Sequence, residues 1–142
     1  MHFTTASGIV CHTDLTALTT IVPPFHEHVL RVLTEGLLNV ARHARANQVW
    51  IRTMHQQGLF TLEIRDDGVG FDPLHESAGS GHYGLLGLRE RARLIGGSLE
   101  IESVVGEGTT IRFTFPCAGE ERQHTLEGGE RDRAHLRQKE YP

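Results

Sequence analysis

Glu35-Gly36-Leu37-Leu38-Asn39-Val40-Ala41-Arg42-His43-Ala44-Arg45-Ala46 is the stretch on which the fold turns. Glu35, Asn39 and His43 stand at i, i+4 and i+8, a spacing that stacks three side chains along one face of an α-helix. Val32, Leu33, Gly36, Leu37 and Val40 supply the apolar positions around them. A carboxylate and an amide at the edge of an apolar stripe carry a desolvation cost that a merely structural helix avoids. Taken alone, the stripe equally describes a solvated seam. The next polar landmark is Asp67-Gly68-Val69-Gly70-Phe71, which follows an alternating run from Leu59 to Asp66, where a strand ends.

Working outward, Ile9 to Leu15 is β-branched and roughly alternating, a strand. Pro23-Pro24 suits a helix entry, and the helix is expected from Phe25 to Ala44, with Val29, Leu33, Leu37 or Gly36, Val40 and Ala44 buried. Asn47 is expected to break it. Val49–Met54 and Leu59–Asp66 read as strands joined at Gln56-Gln57-Gly58, with Phe60, Leu62 and Ile64 on one face. Residues 67–84 are rich in glycine and form a long loop, the kind that is usually functional. Leu85–Ile95 is helical with Leu88 and Ala92 inward, and Gly96-Gly97 stops it. Ser98–Ser103 and Thr109–Phe115 read as a strand pair around the turn at Val104–Gly108.

With 142 residues, the chain is expected to fold as one domain. Residues 1–7 read as the remnant of an upstream helix or linker, and residues 8–116 as the domain. Residues 117–142, poor in large aliphatics, read as a polar, disordered tail. The net charge of −4 argues against a nucleic-acid binder that works by bulk electrostatics. No apolar run is long enough to span a bilayer and no signal peptide is visible, so no direct membrane contact is expected. Cys11 and Cys117 stand in no ligand or redox pattern and read as reduced thiols of a cytoplasmic protein. The ten histidines are scattered without the spacing of a structural metal site.

Three features carry chemistry. Asp67, at a strand end, is suited to accept a hydrogen bond from an exocyclic amine, and Gly68 and Gly70 let the backbone approach a flat ligand. Gly79-Ser80-Gly81-His82-Tyr83-Gly84 opens straight into a helix, and free N–H groups of such a loop form an anion site. Gly106-Glu107-Gly108-Thr109 serves as a hairpin turn. Each has a bland alternative as an ordinary turn or linker.

In this order and spacing, the blocks resemble the ATP-binding fold of histidine kinases, shared with DNA gyrase, MutL and the heat-shock chaperones. The resemblance covers residues 8–116. The run GHYGLLGLRERARLIGGSLEIES and the N box NVARHA are similar to the sensor kinases that signal to helix-turn-helix response regulators. It implies an α/β two-layer sandwich of the Bergerat type, with a mixed sheet covered on one face by helices and a long lid loop. It also implies a protein-histidine kinase domain that uses ATP and Mg²⁺ and donates the γ-phosphoryl group to a histidine on a separate dimerisation domain.

Carried over by residue, the resemblance makes Asn39 the Mg²⁺ ligand and gives Glu35 a role in polarising water or holding the metal's outer shell. Arg42 and His43 lie near the phosphates. Asp67 takes the adenine amino group, with Gly68 and Gly70 shaping the pocket and Gly108 and Thr109 beside the base. Gly81, His82, Tyr83, Gly84 and Leu85 belong to the lid. The implied partners are the dimerisation and phosphoacceptor domain and, downstream, a response regulator, with the domain itself monomeric. No His-Asp pair marks a phosphoacceptor here, so the chain is not expected to autophosphorylate alone. A free-standing anti-sigma-factor type serine kinase of the same fold and a non-catalytic ATP-binding adaptor are the alternatives.

Overall fold

The computed structural model describes residues 2–4, 8–72 and 83–117. Six strands form one mixed sheet: β1 (His2–Thr4), β2 (Val10–Asp14), β3 (Gln48–Gln56), β4 (Leu59–Asp66), β5 (Ser98–Val104) and β6 (Gly108–Pro116), in the order β1-β2-β3-β4-β6-β5. Only β2 and β3 run parallel, as the connection through helix α1 (Pro23–Asn39) requires. Helix α2 (Tyr83–Leu94) precedes β5. This is the expected two-layer α/β architecture.

Alternation sorts the sheet into two faces. Val49, Ile51, Phe60, Leu62, Ile64, Ile111, Phe113 and Phe115 are buried on the face that packs against α1 and α2. The opposite face carries a lattice of charge. Glu63 accepts Arg52 at 3.1 Å and Arg112 at 3.0 Å, and Arg112 reaches on to Glu100 and Glu102. Beside it, His12 stacks on Trp50 with ring centroids 5.4 Å apart, and the Arg65 guanidinium lies 4.0 Å over the same indole.

Helix α1 begins on Pro23-Pro24, where no amide partner is needed, and Phe25 stacks on Phe115 at 4.9 Å. Its buried positions are Val29, Val32, Gly36 and Val40; the expected Leu33 and Leu37 are only partly buried at its flanks. Gly36 is the reason. A Cβ there would stand 2.6 Å from Ile64 Cδ1, so the helix axis sits closest to the sheet at that point and the larger leucines turn aside. From Phe115 of β6 to Ile64 of β4, α1 therefore crosses the sheet and points its last turn toward the end that carries Asp66.

Several local expectations are corrected. The α-helix gives way at Val40–Ala44 to one π-helical turn, and Arg45, in left-handed conformation at φ 53°, closes it before Asn47 is reached. His2–Thr4 is a strand paired antiparallel to β2, and not the end of a helix, because β2 would otherwise offer an unpaired edge. A 3₁₀ turn over Thr16–Thr20 fills the approach to α1, pinned by Ala17 N–H donating to Thr53 Oγ1. Cys117 is buried and donates its N–H to Gly58 O, so the ordered domain includes it. Residues 118–142, expected as a tail, lie outside the described residues. Among the described residues, no helix is long and apolar enough to cross a membrane.

Candidate functional site

The site grows from one row of residues across the sheet. The row Ile51–Ile64–Ile111–Ile101 lies against the helices and is wholly apolar. Two residues further toward the end of β4, the next row on the same face is Val49–Asp66–Thr109–Ser103. The face thus turns polar in one step, where the last turn of α1 arrives.

Asp66 is 5% exposed. Its carboxylate accepts Gly68 N–H at 2.8 Å and the Thr109 amide as well. Burial pushes its carboxyl above the usual carboxylate range; the two amides pull the other way, and the neighbouring Asp67 charge adds to the rise. Asp67 is differently placed. It is exposed, and its Oδ1 accepts the amides of Asn47 and Gln48, each at 2.9 Å. That carboxylate fastens the start of β3 to the end of β4. The sequence reading gives the acceptor role for an exocyclic amine to Asp67, whereas the buried carboxylate at this strand end is that of Asp66, which that reading did not single out.

The loop after β4 is locked onto the β5–β6 hairpin. Gly106 donates to Val69 O at 2.6 Å, and Phe71 N–H donates to Ser103 Oγ at 2.8 Å. Gly70, at φ +64°, lies so close that a Cβ would meet Val104 O at 2.1 Å. Only glycine combines that conformation with that approach. Gly68 is buried, and Gly108 abuts the carbonyl of Asp66.

On the helix side, Asn39 is half-buried and its Nδ2 donates to the Glu35 carbonyl at 2.9 Å. One of the two amide protons is thereby used, and Oδ1 is the acceptor that a cation or donor would meet. Glu35 is likewise half-buried, one turn earlier. Arg42 is exposed on the π turn, which also carries the backbone of His43. A switch to π winding is unusual and tends to mark functional segments. Tyr83, Gly84 and Leu85 form the first turn of α2, whereas Gly81 and His82 lie outside the described residues, as does most of the expected lid.

The structure therefore brings Gly68, Gly70, Gly108 and Thr109 to one end of the sheet and adds Asp66 and Ser103, while Asn39 ends α1 three residues beyond the Gly36–Ile64 approach. A hollow of about 220 Å³ at that strand end reaches Asp66, Ser103 and Gly108 but is lined as well by Arg65, Glu102 and Thr110 of the outer face. Another, of about 390 Å³, lies on the opposite face against Trp50 and Arg65 and touches none of the motif residues. Among the described residues, no three His, Cys, Asp or Glu side chains cluster as a metal site. A hard cation here would instead rest on the Asn39 oxygen and on oxygens of a bound ligand, a donor set that suits magnesium.

Comparison with known proteins agrees with this geometry. Residues 26–119 match the profile of the histidine kinase-, DNA gyrase B-, and HSP90-like ATPases. The chain is 35% identical over 120 residues to sensor histidine kinase YdfH of Bacillus subtilis, covering 84% of this chain and 30% of that protein. It is 38% identical over 101 residues to the histidine-protein kinase/phosphatase DegS of Brevibacillus brevis, covering 68% of this chain and 26% of that one. The chain thus spans less than a third of these two relatives. In fold it is similar to the blue-light activated histidine kinase of Erythrobacter litoralis, with a TM-score of 0.57 and 22% identity over 79% of this chain and 36% of that one.

Proposed function

Because the chain belongs to the histidine kinase-, DNA gyrase B-, and HSP90-like ATPase family, we propose that it binds Mg·ATP at the end of β4 and presents the γ-phosphoryl group to a histidine on a separate dimerisation domain. On this reading it is the catalytic part of a two-component sensor kinase, with a response regulator downstream. The observation that carries the proposal is the buried Asp66 carboxylate beside Thr109 at the end of β4.

Each residue has a physical role in that reading. Asp66 replaces Asp67 as the acceptor for the adenine amino group, with Gly68 and Gly70 forming the wall against which the flat base rests. Asn39 offers Oδ1 to a magnesium ion, which, when bound, neutralises charge on the phosphates. Glu35 stands one turn back, able to hold a water in that ion's outer shell. Arg42 and His43 follow on the π turn toward the phosphates, and the first amides of α2, those of Tyr83, Gly84 and Leu85, which follow Gly81 and His82 in the chain, favour the anionic end of the nucleotide. Phosphoryl transfer asks mainly for positioning and charge neutralisation, which is what such a set supplies.

The test is titration with ATP and ADP, with and without magnesium, followed by incubation with γ-labelled ATP alone or with a dimerisation domain bearing its histidine. Saturable, magnesium-dependent binding, and acid-labile label only when that domain is added, are expected. No binding at millimolar nucleotide sinks the reading. Label on this chain alone would overturn the separate-acceptor part. Label on a serine of an added protein would favour the serine kinase alternative.

A further inference from the structure

Ser103 is the residue of the polar row to which no role has been given. Its register partner is Thr109, whose partner on the other side is Asp66. Ser103 Oγ has three neighbours: it accepts Phe71 N–H at 2.8 Å, it lies 2.7 Å from Thr109 Oγ1, and it lies 3.2 Å from the carbonyl of Gly108. A serine hydroxyl has one proton and two lone pairs. The arrangement that satisfies every group has Ser103 donating to Gly108 O and accepting from both Phe71 N–H and the Thr109 hydroxyl. Thr109 has then spent its only proton on Ser103. Toward anything else it offers lone pairs alone, as the Asp66 carboxylate beside it does when ionised.

We propose that Ser103 is a positioning residue that sets the hydrogen-bond polarity of the base pocket: by taking the Thr109 proton it makes that end of the row accept only, which favours a 6-amino purine over a 6-oxo purine. The same oxygen ties the chain at Phe71 to β5, so the loop wall and the base-facing hydroxyl are held by one atom. A 6-oxo purine would present its carbonyl oxygen to Asp66 and Thr109, acceptor against acceptor. Leaving buried acceptors unpaired is what makes such discrimination steep. This inference rests on the nucleotide reading above and deepens it.

The experiment compares Mg·ATP and Mg·GTP dissociation constants for the wild type, Ser103→Ala, Thr109→Val and the double variant, with Ser103→Thr as the conservative control. The expected wild type prefers ATP. Ser103→Ala frees the Thr109 proton to rotate toward the base and narrows that preference by about fivefold or more, as does Thr109→Val. The double variant discriminates no worse than either single, because both act through one hydroxyl. Ser103→Thr keeps the wild-type ratio. Amide exchange at Phe71 in nucleotide-free protein accelerates in Ser103→Ala and not in Ser103→Thr. An unchanged ATP/GTP ratio in Ser103→Ala, or additive effects in the double variant, overturns the inference while leaving ATP binding intact. A wild type that binds neither nucleotide overturns the nucleotide reading itself.

Discussion

The carboxylates of Asp66 and Asp67 part company at the strand end: Asp66 bonds the amides of Gly68 and Thr109 in the interior, whereas Asp67 bonds those of Asn47 and Gln48 at the surface. One closes a ligand wall, and the other splices two strands.

Their variants should therefore separate binding from folding. Asp66→Asn removes a charged acceptor whose hydrogen bonds contribute roughly 1.5–3 kcal/mol, so ATP affinity should fall by about tenfold to a hundredfold. Asp67→Ala removes two backbone partners and should cost roughly 1–2 kcal/mol of stability, with ATP affinity changed much less. Calorimetric titration beside urea melts reads both. The opposite pattern would return the acceptor role to Asp67.

Asp66 also sets a dependence on pH. Its ordinary value is 3.8, and burial raises it in the folded chain. Between those two values the folded state holds a proton that the unfolded state has lost, so its contribution to stability is full below the ordinary value and is lost as pH rises through the raised one. Asp66→Asn has no such loss. The nucleotide-free variant should gain on the wild type as pH climbs from the carboxylate range toward neutrality, as judged by paired denaturant melts. A difference that is flat with pH would show that the burial is compensated.

The alternation Phe60, Leu62, Ile64 already points inward at even positions, and continuing it by one step places Asp66 inside and Asp67 outside. That much of the site was legible in the sequence, but the glycines drew the motif one residue late. The sheet, its hairpins and the packing face of α2 follow from period and turn chemistry. The close approach at Gly36, the π turn and the strand His2–Thr4 did not, because each depends on what packs or pairs from a distant segment. Ser103 was legible only as part of an alternating strand. Its meaning comes from Phe71, 32 residues away.

Gly36 and Gly70 should respond differently to alanine. At Gly36 the added methyl meets the mobile end of Ile64, so a repacking cost of roughly 1–3 kcal/mol is partly offset by roughly 1 kcal/mol of helix propensity. At Gly70 it meets the rigid Val104 carbonyl in a backbone region that already disfavours a side chain. Thermal melts should show a modest loss for Gly36→Ala and a larger one for Gly70→Ala, with nucleotide binding lost only in the second.

Asn39→Ala tests the metal reading. It removes Oδ1 together with the Nδ2 bond to the Glu35 carbonyl and puts no carboxylate in its place to hold the ion or repel the phosphates. The expected outcome is weaker magnesium-dependent ATP binding with little change in binding measured without the ion. Equal loss under both conditions would remove Asn39 from the metal's coordination.

The stack of His12, Trp50 and Arg65 has a practical consequence for anyone who watches this protein at work. Trp50 is the only tryptophan, and it sits on the side of the sheet away from α1 and α2, with the strand layer between it and Asp66. Its emission should respond sharply when the sheet comes apart and Arg65 leaves the ring, yet stay nearly silent as a nucleotide arrives. The chain carries a built-in gauge of integrity that does not register occupancy, so the two can be read from one sample without confusion.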